Sequence, residues 1–280
     1  MKQRLDQALV ARGLVRSRSQ AESWIGLGKV SVNGQPARKS GQMVQETDVL
    51  KLAATEQYVS RAGLKLASVA KKLHVDFRDA MVLDVGSSTG GFTDYALQHG
   101  AKKVVAVDVG TDQLHPSLHG DSRIELHEKT DIRDVHRSNP QTKLSGTASR
   151  PTSIEPSSVS DGAADVPESL PSDYPAHVLL TDSIDIIVMD VSFISLREIL
   201  PHIASLCTKN TQVVAMLKPQ FEAGKHQVNK GIIKNDSVRR QILKDFETWV
   251  RQWFVVIDKH DSEVAGSKGN RERFYLLKRL

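Results

Sequence analysis

The chain has 280 residues, 39% hydrophobic and 25% charged, the balance of a soluble globular protein with room for one large domain and a small one. No apolar run approaches the roughly 20 residues of a membrane helix, and "MKQRLDQALVARG" has no signal-peptide core. A single cysteine, Cys207, excludes an internal disulfide framework and a cysteine-ligated zinc, so a cytoplasmic address without a bound metal is expected. The net charge of +5 is uneven: residues 1–40 hold eight Lys/Arg against Asp6 and Glu22, which is +6, and the other 240 residues sum to −1.

Residues 1–52 read as a compact basic module, of the kind that binds a polyanion. "RLDQALVARGL" is a short helix stopped at Gly13, and "SRSQAESWIGLG" is a second with Ser17 as N-cap. "KVSVNGQPA" alternates into Asn33-Gly34, a strong hairpin signal, and "DVLKL" is a further strand. Residues 53–80 form a connector and a helix, in which Leu64, Leu66, Val69, Ala70 and Leu73 make one apolar face.

From residue 81 onward, apolar strands alternate with helices. Strands are expected at Met81–Val85, Lys103–Val107, Ile184–Met189, Gln212–Leu217, Phe254–Lys259 and Arg273–Leu277. Helices are expected at Thr93–Gln98, Ser195–Cys207 and Ser237–Trp249. The βαβα order implies an α/β, doubly wound, mostly parallel sheet beside the small α+β N-terminal module. Only a loop separates the last two strands, so they should pair antiparallel at one edge. Residues 138–176 contain 18 Ser/Thr/Pro and no periodic apolar face, which reads as a disordered insertion in a surface loop.

"LDVGSSTGGFTD" carries the first chemical signal, an apolar strand running into a glycine-rich turn and a helix. Its glycines, Gly86, Gly90 and Gly91, are spaced G-x-x-x-G-G rather than the G-x-G-x-x-G of a dinucleotide site. With Asp84 ahead of the turn and Ser87 within it, the pattern favours S-adenosylmethionine, whose ammonium can pair with a carboxylate. Asp108 ends the next strand and can accept from ribose hydroxyls. Asp131 follows a third apolar stretch and could accept from an adenine amine.

The acceptor can be narrowed by elimination. After the fourth strand the chain reads "MDVSF", without the Asn/Asp-Pro-Pro-aromatic motif of base amine methylation. Cytosine carbon methylation needs a cysteine nucleophile, whereas Cys207 lies in an apolar helix pattern. Hydroxyl methylation needs a base or positioner, for which lysines with nearby carboxylates serve. Asp190 and Lys218 end two strands beside the cofactor edge, Lys65 lies on the helix before the sheet, and Glu272 precedes the last strand.

These four residues resemble the K-D-K-E tetrad of FtsJ-like ribose 2′-O-methyltransferases. "YVSRAGLKL", "LDVGSSTGGFTD", "MDVSFISL", "LKPQFEAG" and "GNRERF" closely resemble the TlyA family, known as haemolysin A or rRNA 2′-O-methyltransferase. "RLDQALVARGLVRSRSQAESWIGLGKVSVNG" resembles an S-four-type RNA-binding domain. The resemblance covers nearly all the chain except 138–176, an insertion foreign to the family pattern. It implies a Rossmann-like methyltransferase domain over 81–280 acting on cytidine 2′-hydroxyls of ribosomal RNA or ribosomal subunits. Lys65, Asp190, Lys218 and Glu272 would be catalytic, and Arg4, Arg16, Arg18 and Lys29 would grip RNA. A catalytically silent RNA-binding assembly factor and a membrane-lytic haemolysin are the alternatives; the sequence offers the latter no spanning segment or long amphipathic strand array.

Overall fold

A computed structural model describes residues 2–15, 17–53, 58–138, 178–224, 228, 231–233, 235–266 and 269–280. Arg16 and residues 139–176 of the predicted insertion lie outside the described residues.

The N-terminal module runs β1 (Lys2–Arg4), α1 (Leu5–Ala11), α2 (Arg18–Gly26), β2 (Val30–Val32), β3 (Gln35–Pro36), β4 (Met43–Gln45) and β5 (Leu50–Leu52). Ser17 caps α2, its side chain accepting from Gln20 N–H at 3.2 Å. Asn33 and Gly34 take positive φ (52° and 80°), which turns β2 into β3 with the twist a two-residue hairpin needs. Strand β2 also pairs with β5, and β1 pairs with β4, a contact the polar run Lys2-Gln3-Arg4 did not announce.

The larger part comprises α3 (Arg61–Ala70), β6 (Met81–Val85), α4 (Gly91–Gln98), β7 (Lys103–Val107), β8 (Ile124–His127), β9 (Val135–Arg137), β10 (Val178–Leu180), β11 (Ile186–Met189), α5 (Leu196–Leu206), β12 (Gln212–Leu217), α6 (Pro219–Glu222), α7 (Asp236–Val250), β13 (Phe254–Asp261) and β14 (Arg273–Arg279). Seven strands form one sheet in the order β13-β14-β12-β11-β6-β7-β8. Strand β14 is the antiparallel member, inserted between β12 and the edge strand β13. Because it runs backwards, its first residue, Arg273, sits opposite Leu217 at the carboxyl end of β12. Glu272 is thereby delivered to the same sheet edge as Lys218.

Alternation along the strands divides the core. Val82, Val104, Val188 and Val214 face the layer of α3 and α4, where Leu66, Val69, Phe92 and Tyr95 pack. Leu83, Val105, Ile187 and Val213 face α5 and α7, where Ile199, Ile203, Leu243 and Phe246 pack. The first of these layers is continuous with the core of the N-terminal module through the fully buried Tyr58, whose carbonyl accepts from Gln20 Nε2 at 2.9 Å.

Helices α3 and α4 meet on glycine. A Cβ at Gly91 would lie 2.2 Å from Ser60 Oγ and 2.8 Å from Ala62 Cβ, and one at Gly63 would lie 2.9 Å from the Gly91 carbonyl. Gly91→Ala is therefore expected to lower stability by about 1–3 kcal/mol through overpacking, measured as a reduced urea midpoint with unchanged slope.

Candidate active site

Strand order reverses on either side of β6, with β7 on one flank and β11 on the other, and a crevice opens there at the carboxyl ends of the strands. Two adjoining cavities fill it. One, of about 520 Å³, is lined by Arg61, Lys65, Asp84, Gly86, Ser87, Asp190, Lys218, Gln220 and Glu272 among others. The other, of about 400 Å³, is lined by Val107, Asp108, Asp131, Ile132, Asp190 and Ile199 among others. Gly86, Ser88, Asp190, Ser192 and Phe193 border both, so the two make one continuous groove.

The groove enters the protein at the β6–α4 turn. Gly86 has φ +80°, and a Cβ there would meet the Asp190 carbonyl oxygen at 3.1 Å, so only glycine lets the two strand ends approach. Asp84 is fully buried; Thr93 Oγ1 donates to its Oδ2 at 2.7 Å, while Oδ1 accepts no hydrogen bond. Burial, helped by the nearby Asp190 and Asp108, outweighs the Thr93 bonds and pushes the Asp84 carboxyl up to about 7. Ser87 Oγ beside it is also buried and unpartnered. A carboxylate and a hydroxyl left unsatisfied at the head of the groove suit a cationic, hydrogen-bonding ligand such as an α-ammonium group.

Asp108 and Asp131 occupy the second cavity. Asp108 accepts from Ser88 N–H at 2.8 Å and from Gly110 N–H at 2.7 Å. Asp131 accepts from the Arg133 backbone and guanidinium at 2.9 and 2.6 Å, and these bonds hold its carboxyl below the usual range. Gly90 and Gly91, expected to contact a cofactor, line neither cavity. Gly90 has φ +82°, and a Cβ on it would fall 2.5 Å from Leu118 Cδ1, while Gly91 abuts Ser60 and Ala62.

The four residues of the expected tetrad face the larger cavity as two ion pairs. Lys65 Nζ lies 2.6 Å from Glu272 Oε2, and Lys218 Nζ lies 2.7 Å from Asp190 Oδ1. Lys65, Lys218 and Glu272 are buried. Lys218 Nζ also donates to Ser192 Oγ at 2.6 Å. An ammonium held by two acceptors keeps its third N–H fixed in direction. Cys207 is fully buried, donates to the Ile203 carbonyl and is pushed up to about 12 by burial, so it is no nucleophile.

Sequence reasoning missed several lining residues, although each sits inside a motif it quoted. Arg61 lines the larger cavity and has no ion-pair partner among the described residues. Phe193 is 92% exposed with φ +66°, a strained conformation for an aromatic residue, and its ring centroid lies 5.3 Å from that of Phe221.

On the N-terminal module, the expected Arg4 and Arg18 converge on one carboxylate. Arg4 Nε and Arg18 Nη2 lie 3.0 and 2.9 Å from the fully buried Asp6, while both guanidiniums remain about half exposed. Burial raises the Asp6 carboxyl, but the two arginines outweigh it and leave it below its ordinary value. Lys29 is exposed. Arg12, by contrast, is spent on the carbonyls of Gln45, Glu46 and Asp48.

A doubly wound sheet with this glycine turn and an inserted antiparallel strand defines a methyltransferase-type α/β enzyme. The chain belongs to the FtsJ-like methyltransferase family, whose model matches residues 58–279, and it carries an S4 domain over residues 3–50. It is 32% identical over 279 residues to the 16S/23S rRNA (cytidine-2′-O)-methyltransferase TlyA of Mycobacterium tuberculosis, covering 98% of this chain and 89% of that one. It is likewise 32% identical to Hemolysin A of Brachyspira hyodysenteriae, covering 96% and 97% of the two chains. The solved structure of a candidate hemolysin from Streptococcus thermophilus matches with a TM-score of 0.62 at 33% identity, covering 99% of this chain and 88% of that one.

Proposed function

We propose that this chain transfers a methyl group from S-adenosylmethionine to cytidine 2′-hydroxyls of ribosomal RNA. The observation that carries the reading is the pair of lysine–carboxylate couples, Lys65–Glu272 and Lys218–Asp190, facing one cavity beside an acid-lined groove. The cytidine-2′-O activity of the M. tuberculosis relative supports the same acceptor.

S-adenosylmethionine supplies an electrophilic methyl group on a sulfonium when bound. Asp84 Oδ1 and Ser87 Oγ would hold its ammonium end, with Asp108 at the ribose hydroxyls and Asp131 at the adenine edge. Lys218, anchored between Asp190 and Ser192, directs its remaining N–H at the 2′-oxygen and stabilises the charge building on that oxygen, while the hydroxyl proton passes to water in the open groove as the methyl group arrives. Lys65 and Glu272 keep the opposite wall polar and neutral as a pair. Much of the rate then comes from holding the oxygen in line.

The S4 domain supplies the grip on RNA through Arg4, Arg16, Arg18 and Lys29, a phosphate-directed and salt-sensitive contact. Arg61 is placed to take a phosphate near the target nucleotide. The target cytidine has to leave its stack to enter the cavity, and the exposed Phe193 offers a ring to receive it. The 2′-hydroxyl that marks RNA from DNA is here the nucleophile.

Incubation with methyl-labelled S-adenosylmethionine and unmodified ribosomal subunits tests the proposal. Label in a cytidine 2′-O-methyl group is the expected result. No incorporation into either subunit, with cofactor binding verified, rejects it in favour of an assembly factor. Among the described residues no helix is long and apolar enough to cross a membrane. Leakage from pure liposomes is expected to be absent.

A further inference from the structure

Most polar groups lining the larger cavity already have partners. Lys65 and Glu272 hold each other, and Lys218 holds Asp190 and Ser192. Asn270, buried in the wall, uses both ends of its amide: Oδ1 accepts from Ile233 N–H at 3.1 Å and Nδ2 donates to the Gly231 carbonyl at 2.8 Å. Five lining side chains keep a buried oxygen with no hydrogen bond; those of Asp190 and Glu272 are held in the ion pairs with Lys218 and Lys65, which leaves Asp84, Ser87 and Gln220. Asp84 and Ser87 flank the glycine turn, on the cofactor side.

Gln220 belongs to a different wall. It lies in α6, two residues beyond Lys218 and next to Phe221, whose ring packs against the exposed Phe193. A nucleotide with its 2′-oxygen at Lys218 and its base on the Phe193 ring would bring the base edge toward Gln220. A buried amide carbonyl without a donor is unfavourable, and it gains one when a ligand of the right chemistry enters.

We propose that Gln220 reads the identity of the target base, its Oε1 accepting a hydrogen bond from the exocyclic amine of cytosine. Uracil presents an acceptor oxygen at that position and, with the amide oriented as it is here, leaves two acceptors facing each other. The inference rests on the ribose-methyltransferase reading and adds to it the group that selects among pyrimidines. A site built around one hydrogen bond discriminates strongly against the analogue that lacks it.

The test measures kcat/KM on ribosomal RNA carrying cytidine, uridine or 2-pyrimidinone riboside, which lacks the amine, at the mapped target. The full-length wild-type protein should prefer cytidine to the other two by about 100-fold or more. Gln220→Leu should bring the cytidine-to-uridine ratio to within about threefold of one, through loss on cytidine, with cofactor affinity unchanged. Gln220→Glu, which keeps an acceptor in either orientation, should retain the preference. A wild-type ratio in Gln220→Leu overturns the inference and leaves the methyltransferase reading standing. Equal wild-type rates on cytidine and 2-pyrimidinone overturn it without recourse to any variant. No transfer to cytidine by the wild type rejects the methyltransferase reading, and this inference falls with it.

Discussion

Lys218→Met is expected to reduce methyl transfer by about 1,000-fold or more while leaving S-adenosylmethionine affinity within a few-fold of wild type, the scale of losing a preorganised donor from a developing oxyanion. Methionine keeps the length of the apolar stem and deletes the ammonium that links Asp190 and Ser192. The cofactor contacts proposed for Asp84 and Ser87 lie outside that link, so binding and chemistry should separate. Removing one partner of a partly buried ion pair leaves Asp190 uncompensated, which lowers stability as well. Lys218→Met combined with Asp190→Asn removes both charges and should regain stability without regaining activity. Lys218→Arg should also fail, because a planar guanidinium cannot direct one N–H as an ammonium does. Single-turnover rates on saturating RNA, beside cofactor titrations, measure both quantities. Wild-type turnover in Lys218→Met would remove Lys218 from the mechanism.

The strand ends that carry this chemistry were legible in the sequence because buried parallel strands appear as short apolar runs with polar residues at their tips. Asp84, Asp108, Asp190 and Lys218 could be placed at one sheet edge on that basis alone. The pairing of Lys65 with Glu272 could not, since it depends on β14 entering the sheet backwards between β12 and β13. Chain order does not encode that insertion; the short loop only requires that the last two strands pair. The glycine turn was legible as a turn, but the neighbours that each glycine admits were not. Gly86 yields to the Asp190 carbonyl, whereas Gly90 and Gly91 yield to leucine and serine side chains remote in sequence. Phe193 and Gln220 were invisible as site residues, because exposure and the want of a hydrogen-bond partner are properties of neighbours rather than of residue type.

If Asp84 meets the cofactor ammonium as proposed, it links the stability of the protein to its affinity for cofactor, and pH should reveal the link. Its carboxyl rises from an ordinary 3.8 to about 7 in the folded chain. Between those values the folded state holds a proton that the unfolded state has released, so stability falls as pH rises toward 7 and stays low above it. At about 1.4 kcal/mol per pKa unit, the cost at pH 8 is on the order of 4 kcal/mol. Asp84→Asn removes the buried charge and keeps an acceptor for Thr93, at the expense of an unpartnered amide worth about 1–3 kcal/mol. The variant should therefore unfold at higher temperature than wild type at pH 8 and lose that advantage by pH 5. Cofactor affinity should move the other way. A cationic ammonium needs the ionised carboxylate, so wild-type affinity should fall about tenfold for each pH unit below 7 and level off above it. Binding near pH 7 should release close to half a proton, read from calorimetry in buffers of different ionisation enthalpy. In Asp84→Asn the affinity should be weak and flat across the range. A pH-independent wild-type affinity from pH 5.5 to 8.5 would show that Asp84 is not the group that meets the ammonium. The apo enzyme, on this account, tolerates a buried charge that only its cofactor neutralises, so that binding S-adenosylmethionine recovers free energy the empty fold forgoes.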